Sequence, residues 1–190
     1  MRLVLASRNP HKLRELEPLP DDLELPPETG ETFADNALIK ARAVAQATGK
    51  PTLADDSGIA AVALGGRPGV RSARYAGERA TDEDNLAKLL REVSDDGDRR
   101  VAYVCALAYV NGGEELLVEG RCEGILASEP RGSGGFGYDP AFVPADHDSG
   151  RTMAELSPEE KDAISHRGRA ARGLLAWLAD RWAGTTPTAG

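Results

Sequence analysis

Two adjacent carboxylates followed by a hydroxyl and a glycine, at residues 55–58, are the most chemically informative feature of this chain. The apolar run before them, residues 51–54, predicts a buried strand that ends at Asp55 and Asp56. In α/β proteins the C-terminal ends of strands face the ligand crevice. Paired acids at that position are costly to remove from water unless a positive partner, usually a hard metal ion, lies beside them. On this segment alone, an Asx-type turn with two solvated acids is an equally good interpretation.

A second group of polar side chains follows the predicted strand Leu3–Ala6. Ser7, Asn9 and Lys12 bring a hydroxyl, an amide and an ammonium group to the start of a predicted helix. Main-chain N–H groups at a helix start, together with such side chains, can bind a phosphate. The glycines of a Walker A loop are missing, so a helix cap with a surface lysine remains an alternative.

Aromatic rings among glycines, at residues 134–140, form a third candidate segment. Glycines allow the backbone to approach a flat ligand, Phe136 could stack on a base, and Asp139 could accept a hydrogen bond. The alternative is a tight loop around a core phenylalanine. A cationic cluster lies further along the chain, where a solvated helix face is the competing interpretation. Its members are Lys161, Ser165, His166 and Arg167.

The elements that must position these groups are predicted by caps and hydrophobic patterning. Thr32 and Asp35 have the spacing of a capping box, which begins a helix that ends before Gly49. Residues 101–110 are apolar on both faces of the pleat and predict a central strand. Residues 111–113, Asn-Gly-Gly, predict a hairpin into a returning strand. The sequence therefore predicts both strands and helices around the candidate residues.

Composition limits the class of protein. The 190 residues fit one domain, and the net charge of -8, from 31 acids and 23 bases, argues against a protein that binds nucleic acid independently of its sequence. A small anion in a local basic pocket stays possible. Cys105 and Cys122 are expected to be buried thiols. No leader and no apolar stretch of the roughly 20 residues that span a bilayer is evident, so we expect a cytoplasmic protein without a membrane partner.

Six segments in register extend these separate indications, and they lie within a matching stretch that runs from about Leu3 to Arg172. Their sequences are S-R-N-P-H-K, E-T-F-A-D-N-A-L-I-K-A, L-A-D-D-S-G, P-G-V-R-S-A-R-Y-A-G, F-G-Y-D-P-A-F and A-E-L-S-P-E-E-K-D-A-I-S-H-R. Together they resemble the Ham1-type pyrophosphatases of noncanonical purine nucleoside triphosphates, the inosine triphosphatase family. The resemblance implies an α/β fold with a long, curved mixed sheet, flanking helices and two lobes around a central nucleotide cleft. It also implies Mg²⁺ as cofactor, a purine nucleoside triphosphate as substrate and a homodimer. We expect one two-lobed domain over residues 1–183 and a flexible tail at 184–190.

The resemblance also assigns roles to individual positions. Asp56 matches the proton acceptor, which also contacts the metal, and Ser57 matches a substrate contact. Asp35 matches a further metal contact, although the family usually has a glutamate there. A bridging water could replace the missing methylene. The segment that matches the triphosphate-binding residues is Ser7, Arg8, Asn9, Pro10, His11 and Lys12. The positions that match nucleotide and base contacts are Phe136, Gly137, Tyr138, Asp139, Lys161, His166 and Arg167.

The reaction that the resemblance implies is hydrolysis of ITP, dITP or XTP to the monophosphate and pyrophosphate. One alternative is a Maf-like nucleotide pyrophosphatase that acts on pyrimidine or modified nucleotides. Another is a regulatory module that binds a nucleotide without turnover. Asp55 and Asp56 argue against the module, because acids beside a triphosphate weaken its binding unless a metal ion bridges them.

Overall fold

The computed structural model describes residues 3–7 and 18–183, and its framework is one five-stranded sheet. The strands are β1 (Val4–Leu5), β2 (Thr52–Ala61), β3 (Arg100–Asn111), β4 (Glu114–Leu126) and β5 (Phe142–Pro144). They lie side by side in chain order. β1 is parallel to β2, whereas the other neighbours are antiparallel, so the sheet is mixed. The predicted central strand and hairpin are confirmed as β3 and its turn into β4.

Within the described residues, four helices flank the sheet, and local capping explains where they begin. They are α1 (Phe33–Thr48), α2 (Asp82–Glu92), α3 (Pro158–Ile164) and α4 (His166–Ala183). The predicted capping box of Thr32 and Asp35 starts α1, and Ser157 starts α3 in the same way with Glu160. Each box satisfies N–H groups that the first turn of a helix would leave without a partner.

The pleat of the central strands sends alternate side chains to opposite faces of the sheet. On one face, Ala54, Ala106 and Ala108 pack with α1 in a cluster of small buried residues. On the other face, Leu53 and Tyr109 pack with α4. Two helices therefore cover opposite faces of the same pair of strands, and this arrangement decides which helix each residue of β2 meets.

A third hydrophobic cluster anchors the glycine-rich segment to the sheet. Phe142 and Ile59, both fully buried, belong to it together with Leu89 from α2 and Met153 from a short 3-10 turn. The 3-10 turn Asp139–Ala141 contributes Ala141 to the same cluster. Apolar burial on this scale is the main force that keeps such a loop in place.

One prediction about β2 is wrong. The strand does not end before the acids, and the acids do not form an Asx-type turn, since β2 continues to Ala61. Asp55 is opposite Leu107 and Asp56 is opposite Ala106 in an unbroken antiparallel ladder with β3. Polar residues are retained in the strand because the backbone pairing with β3 is complete and each carboxylate has a cationic neighbour, described below.

The expected α/β class, with a curled mixed sheet and flanking helices, is confirmed. The domain limits at 1–183 remain a prediction, and the expected tail at 184–190 lies outside the described residues. Both cysteines are buried free thiols, as expected. Within the described part of the chain, no helix is long and apolar enough to cross a membrane.

Candidate active site

The site lies along one edge of β2, on a stretch that is open between β1 at one end and the segment around Ser72 at the other. β1 pairs only with Thr52 and Leu53, and beyond them the N–H of Ile59 donates to Ser72 Oγ at 2.9 Å. Between these contacts, the N–H of Ser57 bonds to the side chain of its neighbour, with 3.0 Å to Asp56 Oδ1. Among the described residues, no strand pairs with this edge at 55–57. Side chains from both faces of β2 can therefore reach a ligand at one edge.

Asp56 lies on the α1 face and contacts two residues of that helix. Its Oδ2 accepts a hydrogen bond from Asn36 Nδ2 at 3.0 Å, and its Oδ1 is 3.8 Å from Lys40 Nζ. Asn36 and Lys40 are four residues apart, which places both on one side of a helix. Lys40 Nζ is also 2.6 Å from Glu28 Oε1, so one buried ammonium lies between two carboxylates.

Burial governs the acidity of Asp56. Partial removal from water raises its pKa, and this effect exceeds the opposing effects of Lys40 and the Asn36 hydrogen bond. Glu28, a like charge nearby, raises the pKa further. A carboxylate with a raised pKa is a stronger proton acceptor than an ordinary surface acid. Asp56 therefore has the electrostatic environment of a general base.

The same carboxylate could hold a divalent cation. In the described residues no three histidine, cysteine or acidic side chains converge on one point, so no preformed metal cage is present there. Mg²⁺ does not need one, because it commonly binds through one or two carboxylates, several waters and the phosphates of a substrate. The carboxylate of Asp56 fits that mode of binding. It is partly removed from water, and Lys40, 3.8 Å away, only partly neutralises its charge.

Asp35, the other predicted metal contact, forms part of the cap at the start of α1. Its Oδ2 accepts hydrogen bonds from the backbone N–H and the hydroxyl of Thr32, at 3.2 and 2.7 Å. The next residue, Asn36, is the one that contacts Asp56. The capping role of Asp35 is confirmed, and its role as a metal ligand stays a prediction.

Ser57 and Arg167 meet on the opposite, α4 face. Arg167 Nη2 donates to Ser57 Oγ at 2.9 Å, and Arg167 Nε is 3.8 Å from Asp55 Oδ2. Ser165 Oγ accepts from the N–H of Gly168 at 3.0 Å and so caps α4. An arginine in the first turn of a helix is unfavourable to the helix dipole. The buried carboxylate of Asp55 offsets that cost and holds the guanidinium towards β2.

Phe136 presents an aromatic surface beside this arginine. Its side chain is 53% exposed, which is unusual for a phenylalanine in an ordered loop. Lys161 Nζ lies 4.8 Å and Arg167 Cζ 5.3 Å from the centre of its ring. The exposed ring can stack on a base, and the two cations can donate hydrogen bonds to the edge of that base.

Asp139 organises the loop that carries Phe136. The carboxylate is 3% exposed, and its Oδ2 accepts from the N–H of Phe136 at 2.9 Å and from Lys161 Nζ at 2.5 Å. Its Oδ1 accepts from the hydroxyl of Tyr103 at 3.1 Å. Gly135 is needed here because its φ is 75° and a Cβ would lie 2.1 Å from Asp139 Oδ2.

The remaining predicted residues take varied positions. Gly137 donates its N–H to Asp82 Oδ2 at 2.7 Å, which ties the loop to α2. Tyr138 is buried with its hydroxyl on the carbonyl of Ser72, so its side chain packs inside the protein. His166 is also buried and stacks on Tyr103. Ser7 is the last residue described before the gap, and Arg8, Asn9, Pro10, His11 and Lys12 lie outside the described residues.

Sequence reasoning missed several members of the site. For Lys40 and Asn36 a signal existed, since both lie on the helix face of Ala37, Ala41 and Val44, where polar residues are unusual. The partners Glu28, Asp82 and Tyr103 had no comparable signal, because only contacts with residues distant in the chain reveal them.

Comparisons with known proteins show which family this chain belongs to. A sequence model of the Ham1 family matches residues 3–177. The dITP/XTP pyrophosphatase of Mycobacterium tuberculosis (strain H37Rv) is 50% identical over 196 residues, which cover 92% of this chain and 93% of that protein. The dITP/XTP pyrophosphatase of Coxiella burnetii is 46% identical over 197 residues, covering 95% and 98%. The structure of the Staphylococcus aureus Ham1 protein, 39% identical, superimposes with a TM-score of 0.87 over 95% of this chain and 100% of that one. The resemblance inferred from the six segments is thereby confirmed, and this chain belongs to the Ham1 family.

Proposed function

We propose that this chain hydrolyses the noncanonical purine nucleoside triphosphates ITP, dITP and XTP to the monophosphate and pyrophosphate. The observation that carries this proposal is the meeting of two different groups at one strand edge. Asp56, a partly desolvated acid, lies on one face of β2, and Ser57 leads to Arg167 and the exposed Phe136 ring on the other. The first group suits phosphoryl chemistry and the second suits a base. The relatives named above as dITP/XTP pyrophosphatases support the same activity.

The reaction needs an acceptor for the proton of the attacking water. Water attacks the α-phosphorus, and Asp56 either accepts a proton from this water or orients the water for attack. Burial raises the pKa of Asp56 and so makes it a better proton acceptor. Residues 7–12, with Lys12, hold the triphosphate. A Mg²⁺ ion bound at Asp56 would offset the charge that develops on the pyrophosphate leaving group. Positioning and electrostatics are sufficient for such a reaction, so no activated serine or cysteine is required.

Base selection follows from the donors around Phe136. Hypoxanthine and xanthine carry a keto oxygen at position 6, which accepts a hydrogen bond, whereas adenine carries an amino group that donates one. Lys161 and Arg167 are donors only. With adenine in place, a donor in this site would be left without a partner, which is a large penalty away from water.

A panel of nucleoside triphosphates tests the proposal. Phosphate release is measured with added inorganic pyrophosphatase, which converts each pyrophosphate to two phosphates. We expect rapid turnover of ITP, dITP and XTP and much slower turnover of ATP. Faster hydrolysis of pyrimidine triphosphates would favour the Maf-like alternative, and binding without release would favour the regulatory module; either result would overturn the proposal.

We also propose that the protein is a homodimer and that it is cytoplasmic, and the family resemblance supports both proposals. The net charge of -8 supports a protein without a nucleic-acid partner. Light scattering on the eluted protein tests the oligomeric state, and a mass near the 20.1 kDa of one chain would exclude the dimer.

A further inference from the structure

Tyr103, on β3, is a buried side chain for which the proposed reaction has no use. It is 8% exposed, and its ring stacks on Phe142 and on His166, with centroids 4.4 and 4.8 Å away. Burial raises its pKa well above the usual value, and the nearby Asp139 adds to this effect. The phenol therefore remains protonated and acts as a hydrogen-bond donor.

Among the described residues the hydroxyl of Tyr103 has one hydrogen-bond partner, the carboxylate of Asp139, which also accepts from two other groups. Tyr103 donates to Asp139 Oδ1 at 3.1 Å, while Oδ2 accepts from Lys161 Nζ and from the N–H of Phe136. Since both oxygens are engaged, the carboxylate cannot rotate without breaking a hydrogen bond. A buried hydrogen bond to a charged group is among the stronger interactions of this kind.

Lys161 depends on this arrangement for its position. Its ammonium group has a flexible four-carbon stem and no preferred geometry of its own. The contact with Asp139 Oδ2 holds it 4.8 Å from the centre of the Phe136 ring. The ring of Tyr103 also stacks on His166, which directly precedes Arg167 in α4. One residue of the sheet thus supports both cations beside Phe136.

We propose that Tyr103 is a positioning residue for recognition of the purine base, and that its hydroxyl acts through Asp139 to hold Lys161 beside Phe136. The inference rests on the proposed function and deepens it, because it names a side chain that affects base selection through other groups. The central strand β3 then contributes to specificity as well as to the core.

Replacing the hydroxyl alone tests this role. Tyr103→Phe keeps the stacked ring and removes only the donor. We expect KM for ITP to rise about 10-fold, because a buried hydrogen bond to a charged group is lost, with kcat within about 2-fold. The preference for ITP over ATP in kcat/KM should fall by a similar factor. Tyr109→Phe is the matched control, since Tyr109 lies on the same strand and face but packs with the later part of α4, near Trp177 and away from Asp139.

A double-mutant cycle distinguishes positioning from general destabilisation. If Tyr103 acts through Lys161, Tyr103→Phe should have little further effect on KM in a Lys161→Met background, because coupled residues are not additive. A purely structural role predicts a lower melting temperature, unchanged KM and base preference, and additive effects, and that set of results would overturn the inference.

A second variant and a measurement on the wild type complete the test. Should Tyr103→Phe fail to fold, Asp139→Asn and its cycle with Lys161→Met replace it; independent effects of these two changes would contradict the proposed network. Wild-type turnover of ITP is measured first, so failure of the proposed function is seen separately from failure of this inference.

Discussion

Asp55 and Asp56 are neighbours in the chain but serve opposite faces of β2. Asp56 accepts a hydrogen bond from Asn36 and lies near Lys40, both on α1. Asp55 is 7% exposed and faces Arg167 at the start of α4. The alternation of a pleated strand separates the two carboxylates. Under the proposed function, Asp56 therefore serves the reaction and Asp55 holds the arginine that lies beside the purine base.

Substitution of each acid by its amide should give different defects. Asp56→Asn removes the proton acceptor. A positioned general base contributes about 10²–10⁴-fold to the rate, so kcat should fall by a factor in that range or larger. Asp55→Asn leaves the α1 face intact and weakens the hold on Arg167. It should act mainly on KM and on the preference for ITP over ATP.

Steady-state kinetics and circular dichroism on both variants check this division. The two proteins serve as controls for each other, since the same chemical change is made at adjacent positions. If kcat of the Asp56→Asn enzyme were within a few-fold of the wild-type value, the general base would have to be another residue, with Asp35 the next candidate.

The pH dependence of turnover should respond to Lys40. Its positive charge lowers the pKa of Asp56 against the larger effect of burial. Lys40→Met removes that charge and keeps an unbranched side chain, so the pKa of Asp56 should rise. The acidic limb of the profile of kcat/KM should therefore move to higher pH, because Asp56 must be deprotonated to accept a proton. Lys88→Met on α2, where the lysine pairs with Glu92 at the surface, is the control and should leave the limb in place.

Metal binding should be visible in thermal stability without any assay of turnover. Burial raises the pKa of Asp56 above its usual 3.8, so the folded protein holds this proton more tightly than the unfolded chain does. The contribution of Asp56 to the stability of the metal-free protein should therefore fall as the pH rises from the usual value through the raised one. Mg²⁺ binds the deprotonated form and should raise the melting temperature at neutral pH.

Asp56→Asn is the informative comparison for that effect. It lacks the desolvated charge, so its melting temperature should rise relative to that of the wild type over the same acidic pH range and should not respond to Mg²⁺. Equal stabilisation of both proteins by Mg²⁺ would place the metal away from Asp56. For the wild type, EDTA should abolish turnover, and full activity in metal-free buffer would contradict a metal requirement.

Gly120 on β4 sets how closely α4 approaches the sheet. A Cβ at this position would lie 2.1 Å from the carbonyl oxygen of His166 and 2.5 Å from the backbone nitrogen of Ala170. Gly120→Ala must push the first turn of α4 away, together with Arg167. Overpacking of this kind costs about 1–3 kcal/mol, so we expect a melting temperature several degrees lower and a higher KM. Differential scanning fluorimetry and kinetics measure both, with Gly113→Ala as the control because a Cβ there meets no atom within 4 Å. Equal effects of the two changes would rule out this role of Gly120.

The sequence by itself determined the features that depend on local chemistry. Thr32 with Asp35, and Ser157 with Glu160, begin helices because their side chains bond to backbone groups only three residues away. The hairpin before β4 follows from the turn preference of consecutive glycines in the same way. The order of six short segments was enough to indicate the family and, through the resemblance, the role predicted for Asp56.

The tertiary structure alone decided which groups meet. Asn36 reaches Asp56 across 20 residues, Tyr103 reaches Asp139 across 36, and Arg167 reaches Ser57 across 110. No local pattern encodes such contacts, because they arise where a helix packs on a particular face of the sheet. The same reason explains the error at β2: the apolar run before the acids indicates a strand, but only the complete ladder with β3 shows that the strand continues through them. Long-range backbone pairing and helix packing, rather than residue type, therefore determine where each acid of the pair points.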